Sequence, residues 1–169
     1  MSSIEPWLRG TETDVPAVVR GVLHALVQAE EDLSKWCGQL PDEVMNERPS
    51  GIPPVAFHIR HIARSIDRLL TYAEGRELSE EQIRLLQTEL DPDAKGEELF
   101  AELLAALTDA RKRVRGFAGS NLEEKRSVGR KALPTSVGGL LIHIADHTQR
   151  HVGQAITTAR IVDDSSLKR

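Results

Sequence analysis

Apolar residues recur every three or four positions along four long segments of this 169-residue chain. That spacing places them on one face of an α-helix, so each segment predicts an amphipathic helix. The four segments span residues 14–40, 54–74, 97–118 and 136–162, and a shorter helical segment spans 80–90. No segment shows the two-residue alternation that is typical of strands. The sequence therefore predicts a single all-α domain over residues 1–169, a four-helix bundle with one short additional helix between its second and third helices.

Residues that favour helix ends support these boundaries. Thr13 and Asp14 are of the types that cap a helix N-terminus, and they precede the first apolar stripe. Gly75 predicts the end of the second helix, because glycine favours the left-handed conformation found just beyond a helix C-terminus. Ser79 and Gln82 have the spacing of a capping box, which predicts the start of the short helix.

Composition excludes several classes of protein. The formal net charge is −4, which is not typical of a protein that binds nucleic acid over its whole surface. No apolar run reaches the roughly 18 residues of a membrane-spanning helix, and the N-terminal residues lack the apolar core of a secretory signal. Cys37 is the only cysteine, so no intrachain disulfide forms. A cytoplasmic protein without membrane or nucleic-acid partners is expected.

One segment is strongly basic against this acidic background. Residues 111–131 carry eight basic and two acidic side chains, a local charge of +6. Such a tract is typical of a solvated helix end followed by a loop, and the loop is expected over 118–134. Phe117 is the one aromatic residue in the tract, which argues against base stacking with a nucleic acid. Docking of an anionic small molecule is the alternative interpretation.

Histidines interrupt the apolar stripes of two predicted helices. In the fourth helix, His147 and His151 are four residues apart, so their rings project from the same face about 6 Å apart along the axis. One metal ion can accept two ring nitrogens at that spacing. His143 lies about 12 Å from His151 along the axis, so it is expected at the rim of such a site.

A third ligand is expected from the second helix, which carries His58 and His61. His58 lies closer to the centre of the apolar stripe, so burial alone favours it, and both remain candidates. The alternative to metal binding is that these histidines are structural and are held in the core by hydrogen bonds. His24 shares a face of the first helix with Arg20 and Glu31 and is expected at the surface.

Known motifs narrow the type of site. The zincin motif HExxH is absent, because Thr148 follows His147 where that motif has glutamate. No histidine has a glutamate three residues before it, as the di-iron bundles require. Phosphate-binding glycine motifs and Ser–His–Asp or Cys–His nucleophile motifs are also absent from the sequence. What remains is a histidine-rich mononuclear site with open coordination positions.

Two segments resemble the marker regions of the DinB-like (DinB/YfiT-like) superfamily of metal-binding four-helix bundle proteins. They are FHIRHIARSIDRLL (57–70) and LLIHIADHTQRHVGQAI (140–156), and the resemblance extends over nearly the whole chain. It implies a site built from one histidine of the second helix and an HxxxH pair of the last helix. On this sequence the implied metal ligands are His61, His147 and His151, and Gly153 and Gln154 complete the family pattern HxxxHxGQ. Thr148 departs from the pattern, because many relatives have glutamate there.

The resemblance also implies an activity. Members bind divalent ions, and nickel or zinc is expected here, with iron or manganese as alternatives. Some relatives are transferases or isomerases that use low-molecular-weight thiols, so we expect a metal-dependent enzyme acting on a small molecule, with thiol-dependent transfer as the leading reaction. A non-catalytic metal-binding or stress-response dimer and a metal-dependent hydrolase are the alternatives.

Further expectations concern the surroundings of the ion. Gln154 is a candidate to orient a ligand or water, and the motif contains no evident general base. Aromatic residues make up 4% of the chain, so the metal rather than a flat organic cofactor is expected to carry the chemistry. A homodimer is expected, because helical bundles of this kind commonly pair through their helix faces.

Overall fold

The computed structural model describes residues 4–166, with side chains as far as residue 163. Its helices are α1 (Ala17–Cys37), α2 (Asp42–Met45), α3 (Val55–Ala73), α4 (Glu80–Gln87), α5 (Gly96–Arg115) and α6 (Val137–Ser166), with 3₁₀ turns at Pro6–Leu8 and Pro49–Gly51. Two short strands, β1 (Lys125–Val128) and β2 (Leu133–Ser136), lie between α5 and α6. Most described residues are therefore helical, and the predicted all-α class is confirmed.

The four long helices of the described chain, α1, α3, α5 and α6, pack around one apolar core. Helix α6 lies against α1 and α3, and α5 contacts the same two helices. Each helix contributes fully buried branched side chains, for example Leu26, Ile62, Leu107 and Ile144. Burying one such side chain contributes about 1.5–3 kcal/mol, so the apolar stripes hold the helices together. No helix among residues 4–166 is both long enough and apolar enough to span a membrane.

Helix α1 begins at Ala17 rather than at residue 14. Pro16 is its N-cap and has an extended backbone, with φ −58° and ψ 155°. The residue before a proline, here Val15, disfavours the helical backbone conformation, so the helix starts only after Pro16. Thr13 and Asp14 therefore lie too early in the chain to cap it. At the other end the helix stops at Cys37 rather than at residue 40, and the Cys37 side chain is fully buried.

The signals predicted for the C-terminal end of α3 and for the start of α4 are present, whereas α4 ends at Gln87 rather than at residue 90. Beyond α3, Gly75 has φ +76°, and its N–H donates to the Tyr72 carbonyl at 3.0 Å. The next N–H, of Arg76, donates to the Thr71 carbonyl at 3.0 Å, which completes a Schellman motif. At the start of α4, the Ser79 side chain and the Gln82 side chain each bind the backbone of the other residue, as a capping box requires.

Residues 118–134, expected as a loop, contain most of a small hairpin. Strands β1 and β2 pair antiparallel, with Lys125 opposite Ser136. Each strand has only four residues and a largely polar sequence, so no two-residue alternation could reveal them. A tertiary contact fixes the hairpin instead, because the Arg126 Nε donates to the Ala73 carbonyl at the end of α3 at 2.8 Å. The sequence pattern did not predict helix α2 either, because that helix has only four residues.

Gly75→Ala is expected to lower the free energy of unfolding by about 1–2 kcal/mol. An alanine at φ +76° places its Cβ against the following carbonyl oxygen, a penalty that glycine avoids. Gly21→Ala is the matched control, because Gly21 is helical and an added Cβ meets no atom within 4 Å. Urea denaturation should show a gain of about 0.5–1 kcal/mol for the control. Equal losses in the two variants would contradict the assignment of the cap.

Candidate metal centre

Helices α3 and α6 bring three histidines together. His61 lies on α3, His147 and His151 lie one turn apart on α6, and all three rings are half-buried. One ring nitrogen from each residue lies within 4.8 Å of the other two. The Nε2 atoms of His61 and His147 are 3.3 Å apart, and the ring centroids of His61 and His151 are 4.4 Å apart. Two imidazole nitrogens bound to one tetrahedral ion at about 2.0–2.1 Å are also about 3.3 Å apart, so the spacing suits a single ion.

The Nδ1 atom of each of these histidines has a partner of its own. The partners are the Glu89 carboxylate for His61 at 2.6 Å, the His58 ring for His151 at 3.0 Å and the Ser65 hydroxyl for His147 at 3.5 Å. A histidine that ligates a metal usually engages its second nitrogen in this way, because the second contact fixes the tautomer and the ring orientation. With Nδ1 engaged, each ring has Nε2 left to offer to an ion.

Burial and electrostatic repulsion keep His147 and His151, the histidine pair of α6, neutral. Burial lowers the pKa of both His147 and His151 to about 4, and repulsion from the neighbouring histidines acts in the same direction. Both rings are therefore in the neutral form at neutral pH, which is the form that binds metal. The burial that disfavours a charged imidazole thus prepares the pair to accept a cation.

The other two candidate ligands lie outside the converging group. His58 is buried, as its position in the apolar stripe predicted, but its Nδ1 contacts the Nδ1 of His151. Burial, followed by repulsion from His151 and His61, lowers the pKa of His58 to about 4. His143 is exposed, and its ring centroid is 5.3 Å from that of His147.

His24 is not at the surface, and that expectation was wrong. The residue is 7% exposed, and its Nε2 lies 3.2 Å from the Thr11 hydroxyl and 3.3 Å from the Thr11 carbonyl. The segment before α1, including the turn at Pro6–Leu8, packs on α1 and covers this face. Periodicity within one helix cannot show that an irregular segment covers its polar side.

A buried carboxylate, which the sequence patterns did not reveal, lies behind His61. Glu89 lies just beyond α4, is 5% exposed and accepts hydrogen bonds from His61 and from Arg68 Nη1, the latter at 2.7 Å. Burial raises the pKa of the Glu89 carboxyl, but the hydrogen bonds from His61 and Arg68 outweigh it, and the pKa falls below its usual value. Glu89 is therefore charged at neutral pH. One feature of the sequence could have indicated this buried carboxylate: arginines recur every four residues along α3, and they face the short acidic helix α4.

An open cavity of about 620 Å³ borders the histidine cluster. We call it the α6 groove. The lining comprises apolar Ile52, Pro53 and Phe57, the rings of His58 and His151, and the α6 residues Arg150, Gly153, Gln154, Thr157 and Thr158. Gln154, the expected ligand-orienting residue, is exposed in this groove. Thr148 is fully buried, and its hydroxyl has no hydrogen-bond partner among the described residues, so it supplies no acid or base.

These features define an all-α protein with a candidate metal centre formed by histidines of α3 and α6. The family model of the DinB superfamily matches residues 25–155, which is most of the chain, and the protein belongs to that superfamily. The resemblance inferred from the two histidine segments is thereby confirmed. No curated protein matches the chain. Family membership and the three-histidine cluster both fit the binding of a divalent metal ion.

Proposed function

We propose that the protein is a metal-dependent enzyme in which His61, His147 and His151 hold one divalent ion next to a small-molecule site. The observation that carries this proposal is the convergence of three ring nitrogens within 4.8 Å beside an open groove. The Nδ1 atom of each ring has a neighbouring side chain as its partner, and the Nε2 atoms of His61 and His147 face each other. The reaction that we favour is transfer of a group to or from a low-molecular-weight thiol.

The donor set supports nickel or zinc as the ion. Imidazole nitrogen suits both metals, whereas manganese prefers oxygen ligands and non-haem iron sites commonly combine two histidines with a carboxylate. Glu89 is the carboxylate nearest to the cluster in the contacts of the described residues, and its oxygens are already bonded to His61 and Arg68. A site of three imidazole nitrogens therefore remains.

The side chains of the α6 groove suit an amphipathic small substrate. A divalent ion held by the three histidines would act as a Lewis acid that lowers the pKa of a thiol or water. The Phe57 ring stacks on His61 at 5.2 Å and lines the groove, so it can pack against the carbon skeleton of a substrate and exclude water. Gln154 offers an amide to orient a polar group, and Arg150 offers a cation at the same surface.

The groove can be tested with cobalt(II)-loaded protein and glutathione as a probe thiol. We expect glutathione to change the visible spectrum of the bound cobalt. Gly153→Leu should weaken this glutathione effect by more than about 10-fold, or 1.4 kcal/mol, while cobalt affinity stays within about 3-fold. The reason is that a side chain at Gly153 meets no protein atom within 4 Å and would occupy the groove instead. Gly21→Leu, at an exposed glycine of α1, is the matched control and should change neither property.

Conjugation of glutathione to 1-chloro-2,4-dinitrobenzene then tests catalysis. In this reaction the sulfur forms a bond to the ring carbon, chloride leaves with the bonding electron pair, and the thiol proton passes to solvent. Metal-dependent turnover that is lost in Gly153→Leu supports the transferase. Failure of the purified protein to bind any divalent ion would overturn the whole proposal.

A second candidate function is non-catalytic metal binding. It is favoured by the absence of aspartate and glutamate from the described residues that line the groove, which leaves no carboxylate to move protons there. The same absence weakens metal-dependent hydrolysis, which commonly uses a carboxylate base. Tight metal binding without turnover of any tested thiol would support this candidate over the transferase.

A further inference from the structure

Helix α4 is attached to the protein in an unusual way for a short helix. No residue within Glu80–Gln87 is fully buried: Leu85 is half-buried, whereas Ile83 and Leu86 are 38% and 46% exposed. Apolar burial is the main source of helix stability in proteins, so α4 lacks the usual reason to stay on the surface of α3. Polar contacts add to its attachment.

Gln82 of α4 donates to Asp67 and Thr71 of α3. Three arginines of α3, four residues apart on one face of the helix, supply further contacts. Arg60 Nη1 donates to the carbonyls of Thr88, Glu89 and Asp91 at 3.2, 3.3 and 3.0 Å. Arg64 Nη1 donates to the Leu85 carbonyl at 2.8 Å and to the Thr88 hydroxyl at 2.9 Å. Arg68 Nη1 donates to the Glu89 carboxylate at 2.7 Å. All three arginines contact the last turn of α4 or the residues that directly follow it.

The consequence of this attachment is the placement of one carboxylate. Glu89 Oε1 is bonded to Arg68, which leaves Oε2 directed at His61 Nδ1 at 2.6 Å. A charged carboxylate accepts hydrogen bonds and donates none, so it selects the tautomer of His61 in which Nδ1 carries the proton. In that tautomer the lone pair is on Nε2, which lies 3.3 Å from Nε2 of His147.

We propose that α4 serves to deliver Glu89 as the positioning residue of the metal centre, and that Glu89 sets the tautomer and orientation of His61. This inference rests on the proposed metal site and adds a residue to it that neither the histidine motifs nor the family match assigns. A carboxylate behind a ligating histidine also increases the basicity of the ligand. Arg60 and Arg64 anchor the segment, and Arg68 fixes the carboxylate.

Glu89→Gln tests the proposal by removing the charge while keeping the side-chain shape. Cobalt(II) affinity, measured by competition with a chelator, should fall by about 10–100-fold, the usual effect of losing such a partner. Glu30→Gln is the matched control, since Glu30 pairs with Arg111 at 2.5 Å between α1 and α5 and touches neither α4 nor a histidine. The control should bind cobalt within about 3-fold of the unmodified protein. Unchanged affinity in Glu89→Gln would overturn the proposal.

A second measurement uses the metal-free protein and does not depend on affinity. Two-bond ¹H–¹⁵N correlations of the histidine rings report the tautomer directly. His61 should carry its proton on Nδ1 in the unmodified protein, and Glu89→Gln should shift His61 toward the Nε2–H form. An Nε2–H tautomer of His61 in the unmodified protein would refute the proposal, even if Glu89→Gln failed to fold. Full metal retention in His61→Ala would instead refute the metal site itself, so the two failures are distinguishable.

Discussion

Alanine at His61, His147 or His151 is expected to reduce metal affinity by more than about 100-fold. Each substitution removes one of three converging nitrogens, whereas loss of a partner behind a ligand costs only about 10–100-fold. Metal content by elemental analysis of the purified proteins, followed by chelator competition, measures the effect. All three variants should be nearly metal-free under conditions that leave the unmodified protein loaded with one ion per chain.

Two further variants complete this series. His143→Ala should retain metal, because His143 is exposed and outside the converging group. His58→Ala should weaken binding less than the three ligand variants, because His58 contacts His151 from behind. Near-stoichiometric metal in all three ligand variants would refute the site. Loss of metal in His58→Ala alone would instead make His58 the α3 ligand, as burial alone indicated.

The metal-free protein is expected to lose stability steeply as the pH falls from 6.5 toward 4. Burial first, and repulsion among the rings second, lowers the pKa of His58, His147 and His151 to about 4, against about 6.5 in an unfolded chain. Between these values the unfolded state binds protons that the folded state does not, so acid favours unfolding. In that window each histidine lowers the free energy of unfolding by at most about 1.4 kcal/mol for each pH unit of acidification. The part of the free energy of unfolding that depends on neutral histidines is fully present above pH 6.5 and is lost by about pH 4.

Urea denaturation in the presence of a chelator at pH 7.5, 6 and 5 measures this dependence. His147→Gln should flatten it, because glutamine does not titrate. Saturating metal should shift the whole loss to lower pH, since a ligated imidazole resists protonation. A free energy of unfolding that is constant between pH 7 and pH 5 would contradict the assigned burial of the histidines.

The sequence alone predicts the fold because each long helix carries its own signal. Burial of Leu26, Ile62, Leu107 and Ile144 in one core follows from spacing within single segments. The caps at Gly75 and Ser79 are equally local, because the geometry of a helix end depends on a few adjacent residues. The hairpin has no such signal, since its position depends on the contact between Arg126 and the end of α3.

The site is only partly predictable for the same reason. His147 and His151 share one helix, so their spacing reveals that their rings lie together. On α3, burial favours His58, but the structure directs the ring of the less central His61 toward the α6 pair. A site at the edge of two packed helices takes its ligands from positions beside the apolar stripe. Closeness to the centre of the stripe therefore does not show which histidine reaches the site. Glu89 approaches from a turn outside both helices, and its contacts depend on α4 being in place.

The burial of Cys37 at the end of α1 has a consequence for a protein proposed to bring thiols and electrophiles together. Such a catalyst risks alkylating itself, because any reactive cysteine competes with the substrate for the electrophile. Burial raises the pKa of the Cys37 thiol to about 12, so the thiolate form is scarce and sealed from solvent. The one cysteine of the sequence is thereby protected against self-inactivation.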